Sequence, residues 1–183
     1  MRDTLEAACA LICQCYKNGG KVLACGNGGS AADSGHIVGE LVKGFLKKRP
    51  LPEDWQRELN MPLQMGLPAI DLTAQGAIIS AVANDLGGEY VYAQQALAYA
   101  VAGDVLMAIT TSGNAQNVIN AARAAHVKGA KVIGLTGRGG GKLAEYCDVL
   151  LDVPESETYK VQECHLKLYH ELCARVEAEF FAE

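Results

Sequence analysis

The sequence predicts an α/β protein in which a five-stranded parallel sheet is covered by helices on both faces, a doubly wound layer structure. Three observations carry this. Apolar runs of strand length recur five times along the chain. None of the runs alternates strictly between apolar and polar residues, as a strand wet on one face would. Each is followed by a stretch with helical spacing of its apolar positions.

The expected strands are Lys21–Cys25, Leu67–Leu72, Asp104–Ile109, Lys131–Leu135 and Asp148–Val153. The expected helices cover about 3–18, 30–46, 75–83, 89–101, 115–128, 140–146 and 158–181. Asn18-Gly19-Gly20 ends the first helix and Lys128-Gly129 the fifth, following the preference for glycine just past a helix end and a cation in its last turn. Residues 47–66, KKRPLPEDWQRELNMPLQMG, interrupt the pattern with three of the five prolines and the only Trp. This segment reads as an insertion or lid, with a plain surface loop as the alternative.

A chain of 183 residues suits one domain that buries roughly 70% of its unfolded surface. The net charge of −5 argues against nucleic acid and anionic membranes as partners, since both call for a basic patch. It leaves room for an anionic small molecule, because helix N-termini and backbone amides bind phosphate without Lys or Arg. The seven cysteines form no paired zinc-ribbon spacing and read as reduced thiols. No signal core opens the chain, and no apolar run approaches the roughly 18 residues of a membrane span, so a cytoplasmic protein is expected.

In doubly wound sheets, ligands bind outside the carboxyl ends of the strands. Three such ends stand out: CGNGGSAADSGH (25–36), TTSGN (110–114) and TGRGGG (136–141). The first combines Gly26, Gly28 and Gly29 with Ser30 at a helix start and suits a phosphate or a hydroxyl-rich ligand; the second is a run of small hydroxyls that makes a phosphate cradle. The third also reads as a simple turn. Gly26-x-Gly28-x-x-Ala31 fits a permissive dinucleotide fingerprint, but its acidic partner would have to be Asp71, much too far along the chain. His36 and Glu40 lie four residues apart and share a helix face, where they could hold a metal or a proton, or serve structure alone. The segment QECHLKLYHE (162–171) adds Gln162, Glu163, His165, His170 and Glu171.

The stretches GNGGSAADSGH, AITTSGNAQNVINAA and KVIGLTGRGGGKLAEYCDVLLDVP resemble the SIS (sugar isomerase) domain over nearly the whole chain. Within that superfamily the chain is similar to the phosphoheptose isomerases, whose His-x-x-x-Glu and Gln-Glu-x-His-x-x-x-x-His motifs match His36, Glu40, Gln162, Glu163, His165 and His170. The resemblance implies one SIS domain over 1–183 with a flavodoxin-like sheet. It implies conversion of sedoheptulose 7-phosphate to a heptose 7-phosphate through an enediol, with Glu40 and His170 as the acid/base pair. It also implies one zinc ion at His36, Glu40, Gln162 and His170, in a homotetramer with active sites between subunits. Substrate contacts carried over from the family are Asn27, Gly28, Gly29, Ser30, Asp85, Thr110, Thr111, Ser112, Asn114 and Gln162. Non-catalytic SIS regulators that bind sugar phosphates keep the loops but tend to lose this Glu and the last His, which makes them the rival class. Ala115 and Tyr159 depart from the family pattern, which has Ser and Asp there, at positions that touch the sugar.

Gln162 and His170 are eight residues apart, about 12 Å along a straight helix. Joint ligation of one ion therefore requires that the helix start after Gln162 or that the two come from different subunits; otherwise only three of the four residues bind. An aldose–ketose isomerase needs a base and a group to polarise the carbonyl. The sequence leaves open whether Glu40 is chiefly base or chiefly ligand.

Overall fold

The computed structural model describes residues 2–181; Met1 and residues 182 and 183, and with them the outer edges of the expected 1–183 domain, lie outside the described residues. The strands are β1 (Val22–Cys25), β2 (Ala69–Asp71), β3 (Val105–Thr110), β4 (Lys131–Thr136) and β5 (Val149–Asp152). All pair in parallel, in the order β2-β1-β3-β4-β5, with Val22 facing Ala69 on one side and Val105 on the other. This is the flavodoxin-like order, so the expected fold class holds.

The helices are α1 (Arg2–Lys17), α2 (Gly29–Val42), α3 (Glu53–Leu59), α4 (Gly76–Asp85), α5 (Val91–Tyr99), α6 (Gln116–Val127) and α7 (Thr158–Phe180). Successive strand residues point to opposite faces. Val22, Met107, Ile109 and Ile133 pack against Ile12 of α1, Ile37 and Leu41 of α2 and Leu172 of α7. Leu23, Leu106, Ala108 and Val132 pack against Val82 of α4, Tyr92 of α5 and Val118 and Ile119 of α6. Burial on both faces explains why the strands read as continuous apolar runs.

Several boundaries differ from the sequence reading, and the expected strand 67–72 keeps only Ala69–Asp71. The third expected helix, 75–83, runs on to Asp85. The fourth, 89–101, is a 3₁₀ turn (Gly88–Tyr90) followed by the shorter α5, and 140–146 is a 3₁₀ helix at Gly141–Tyr146 rather than an α-helix. The second stops at Val42 instead of 46, because the next amides leave the helical ladder for a tertiary acceptor: Phe45 and Leu46 donate to Glu177 at 2.8 and 2.6 Å, and Lys47 at 3.0 Å. Segment 47–66 contains α3, entered at Pro52 with Glu53 and Asp54 in its first turn and left at Asn60 in the left-handed region. Helix α3 buries none of its residues, so it lacks the apolar stripe by which helices are recognised in sequence.

Glu177 meets a cation as well. Arg49 Nε donates to it at 2.8 Å, with the two side chains 1% and 0% exposed. The same guanidinium donates to the carbonyls of Leu41 at 2.6 Å and Glu40 at 2.9 Å and lies 4.7 Å over the Phe181 ring. Burial pushes the Glu177 carboxyl up, but the amides of Phe45, Leu46 and Lys47 together with Arg49 outweigh it and hold the group below the ordinary Glu value. A depressed folded value means that the stabilisation is complete above the unfolded pKa and is lost as pH falls through the folded one. Replacing Arg49 with Met should destabilise the protein by about 3–5 kcal/mol near neutrality, the scale for leaving a buried charge unpaired. Urea unfolding should show this gap from the parent narrowing below about pH 4, where Glu177 starts to protonate in the unfolded chain; a gap that stays constant with pH would assign the loss to packing.

Candidate active site

The loops after β1 and β3 open onto one cavity of about 380 Å³. Asn27, Gly28, Gly29 and Ser30 line it from the first loop, and Thr110, Thr111 and Ser112 from the second. Thr158 and Gln162 add polar groups from α7, Ile109 and Ala115 supply its apolar part, and no Lys or Arg is among the described residues that line it. Gly28 adopts φ +56°, in the region that favours glycine, and lets the chain swing directly into α2. A Cβ on Gly29 would collide with the Gln162 amide, so loop and side chain are fitted to each other. An anion here would meet hydroxyls and the positive ends of α2 and α6.

The third loop is a buttress rather than a ligand loop. Gly137 N donates to Thr111 O at 3.0 Å, and Leu143 N to Gly113 O at 2.9 Å. Gly113 has φ +68°, and a Cβ there would strike the Gly140 carbonyl. Asn114, an expected substrate contact, is engaged in the same seam: it donates to Ser112 O at 2.8 Å and accepts from Lys142 N at 3.2 Å. Asn27 forms a reciprocal amide pair with Asn117, 2.9 Å each way, and so turns one polar group away from the cavity it lines. Asp85 stands apart, exposed at the end of α4 and accepting from Asn84 at 2.7 Å.

A second cluster forms where α2 crosses α7. His36 Nε2 lies 3.1 Å from Glu40 Oε1 and 3.4 Å from His170 Nε2, and one donor atom from each of the three residues falls within 4.8 Å of the others. Two imidazoles and a carboxylate suit a divalent first-row ion, and three protein ligands with an open position is the pattern of catalytic zinc. The His170 ring packs against Phe45, with centroids 5.5 Å apart. Gln162 does not share this place: α7 is continuous from Thr158, which removes the idea that the helix begins after it, and its amide belongs to the cavity wall. His165 is fully buried, and burial pulls its pKa down, so this motif histidine is a core residue near Asp33. Glu163 and Glu171 are exposed, the latter paired with Arg175 at 2.7 Å. Thr158 and Tyr169 were missed; the hydroxyl of Tyr169 contacts His36 Nδ1 at 2.9 Å.

A glycine-and-hydroxyl cradle on a β2-β1-β3-β4-β5 sheet defines an α/β domain of the SIS type, and residues 1–58 and 59–137 match the SIS domain model. The chain is 41% identical over 179 residues to phosphoheptose isomerase of Aliarcobacter butzleri, covering 98% of this chain and 87% of that one. It is 42% identical over 183 residues to the Burkholderia pseudomallei enzyme of that name, covering 100% and 83%. The solved phosphoheptose isomerase from Neisseria gonorrhoeae superposes with a TM-score of 0.82 at 40% identity, over 96% of this chain and 86% of that one. The chain belongs to the phosphoheptose isomerase family of SIS-domain proteins.

Three substitutions test the cradle. Ser112→Ala should weaken binding of inorganic phosphate by about 1–3 kcal/mol, the scale of a hydrogen bond to a charged group. Gly113→Ala should lower the urea midpoint more than Gly28→Ala, because both hold a positive φ that a side chain disfavours but only the first also strikes backbone. Calorimetric phosphate titrations and paired unfolding curves measure the two effects; equal midpoints would contradict the seam.

Proposed function

We propose that the protein interconverts sedoheptulose 7-phosphate and a heptose 7-phosphate through an enediol. The observation that carries this reading is the separation of two chemically different clusters along the same two helices. Ser30 and His36 are about 9 Å apart along α2, and Gln162 and His170 about 12 Å along α7. A long sugar with phosphate at one end and carbonyl at the other matches that division. Ser30, Thr110, Thr111 and Ser112 take the phosphate, with Gly28, Gly29 and Gln162 shaping the pocket around the chain. Asp85 and Asn114 are assigned as further substrate contacts, Asn114 beside the Ser112 that it braces.

Glu40 removes the carbon-bound proton, and His170 passes a proton between the two oxygens. His36, Glu40 and His170 would hold a zinc ion. Bound there, it would polarise the substrate carbonyl as a Lewis acid. The site forms between subunits of a homotetramer, a reading supported by the 42% exposure of the His36 side chain and by Leu46, Met61 and Leu63 at 68%, 58% and 54%. No described helix is long and apolar enough to cross a membrane, and the seven free cysteines fit a reducing cytoplasm.

Glu40→Gln keeps the size of the side chain and one hydrogen-bonding oxygen but removes the base. Turnover of sedoheptulose 7-phosphate should fall by about 10²–10⁴, while sugar-phosphate affinity survives. Loss of bound zinc in step with activity would make Glu40 chiefly a ligand. Parent-rate turnover with unchanged metal would remove both roles. Binding without turnover in the parent protein would move the chain to the non-catalytic SIS regulators.

A further inference from the structure

Behind the His-Glu-His cluster lies a line of polar groups that neither the cradle nor the proton transfer uses. It starts at His36, whose two ring nitrogens face different partners. Nε2 is the nitrogen near Glu40 Oε1 (3.1 Å) and His170 Nε2 (3.4 Å), so a cation shared by the three residues takes its lone pair from Nε2. A neutral imidazole with a metal on Nε2 carries its hydrogen on Nδ1. Nδ1 lies 2.9 Å from the Tyr169 hydroxyl oxygen, which then accepts. That leaves the phenol's own hydrogen to donate, and Asp33 Oδ1, at 3.3 Å, is the acceptor in reach. A carboxylate can only accept, so the direction of the line is fixed at its far end.

The packing holds this arrangement rigidly. Tyr169 is 1% exposed, so bulk water cannot stand in for either of its partners. Its ring meets His36 edge-on, with centroids 5.3 Å apart at 71°, and His170 at 5.0 Å and 81°. Asp33 precedes His36 by three residues on α2, and Tyr169 immediately precedes His170 on α7, so the line is built from the same two helix segments as the cluster it backs.

We propose that Tyr169 and Asp33 are positioning residues that fix His36 as its Nδ1–H tautomer and aim Nε2 at the shared cation. This rests on the metal reading above. It goes further in assigning two side chains, both outside the three donors, to the affinity of the site.

Tyr169→Phe keeps the ring and deletes the hydroxyl. Titrating the metal-free full chain with zinc against a chromophoric chelator should show affinity about 10–100-fold below the parent, the range seen when the outer partner of a ligating histidine is lost. Asp33→Asn retains an acceptor oxygen and should bind zinc more tightly than Tyr169→Phe. In the zinc-loaded parent, ¹⁵N resonances of His36 should report hydrogen on Nδ1 and none on Nε2, a signature that ring packing alone would not set and that needs no variant to fold. Zinc affinity of Tyr169→Phe within twofold of the parent, or hydrogen found on Nε2 in the loaded parent, overturns the proposal alone. A parent that binds no zinc overturns the metal reading and this proposal together.

Discussion

Glu177 and Arg49 are sealed from water, at 0% and 1% exposure, and each must find its partners inside the protein. Glu177 does so by gathering three consecutive amides and the guanidinium, and Arg49 by also capping the carbonyls of Glu40 and Leu41. The last turn of α2 is thereby tied to α7 two turns beyond His170. A buried pair of this kind adds little net stability over apolar residues of the same size, yet it tolerates few geometries. Here the tolerated geometry also sets how far Glu40 stands from His170. The His-Glu-His cluster inherits its spacing from an interaction that contains none of its side chains.

The cradle depends on a different economy. With a net charge of −5 and no cation among the described lining residues, the cavity offers an anion only hydroxyls and aligned peptide dipoles. Such groups are useful only if their loops hold still. The seam between the second and third loops provides that: Gly113 and Gly140 touch backbone to backbone, and Asn114 ties Ser112 to Lys142. Glycine is required there because no side chain fits, whereas at Gly28 it is required by the backbone angle alone.

Much of this could be read from the residues, for physical reasons that also explain the rest. Strands buried on both faces announce themselves by composition, and the ends of β1 and β3 by glycine and hydroxyls. The overlong second helix came from continuing the apolar spacing past Val42, where a carboxylate 131 to 132 residues away in sequence captures the Phe45 and Leu46 amides. Helix α3 escaped notice because periodicity registers only helices that bury a face, although Pro52, Glu53, Asp54 and Asn60 carry start and stop signals. His36, Glu40 and His170 were found by motif and are brought together. Gln162 shares their motif but sits about two turns away along α7, with its amide in the cavity wall. Tyr169 sits among the apolar residues of α7, where spacing marks it as core, and its second identity emerges only when its hydroxyl is followed to His36.

The excursion between α2 and β2 departs and returns at one point. Gly44 donates to the Gln64 side chain at 3.0 Å, Pro50 bridges to Gln64, and Met65 N reaches Arg49 O at 2.8 Å. Its closure is therefore completed at its neck, independently of what lies between. Loop-closure entropy grows only slowly with added length. The tip around Leu59 and Asn60 is thus a socket in the engineering sense, where a peptide or a reporter domain could be grafted while the sheet, the neck and the buried ion pair stay as they are.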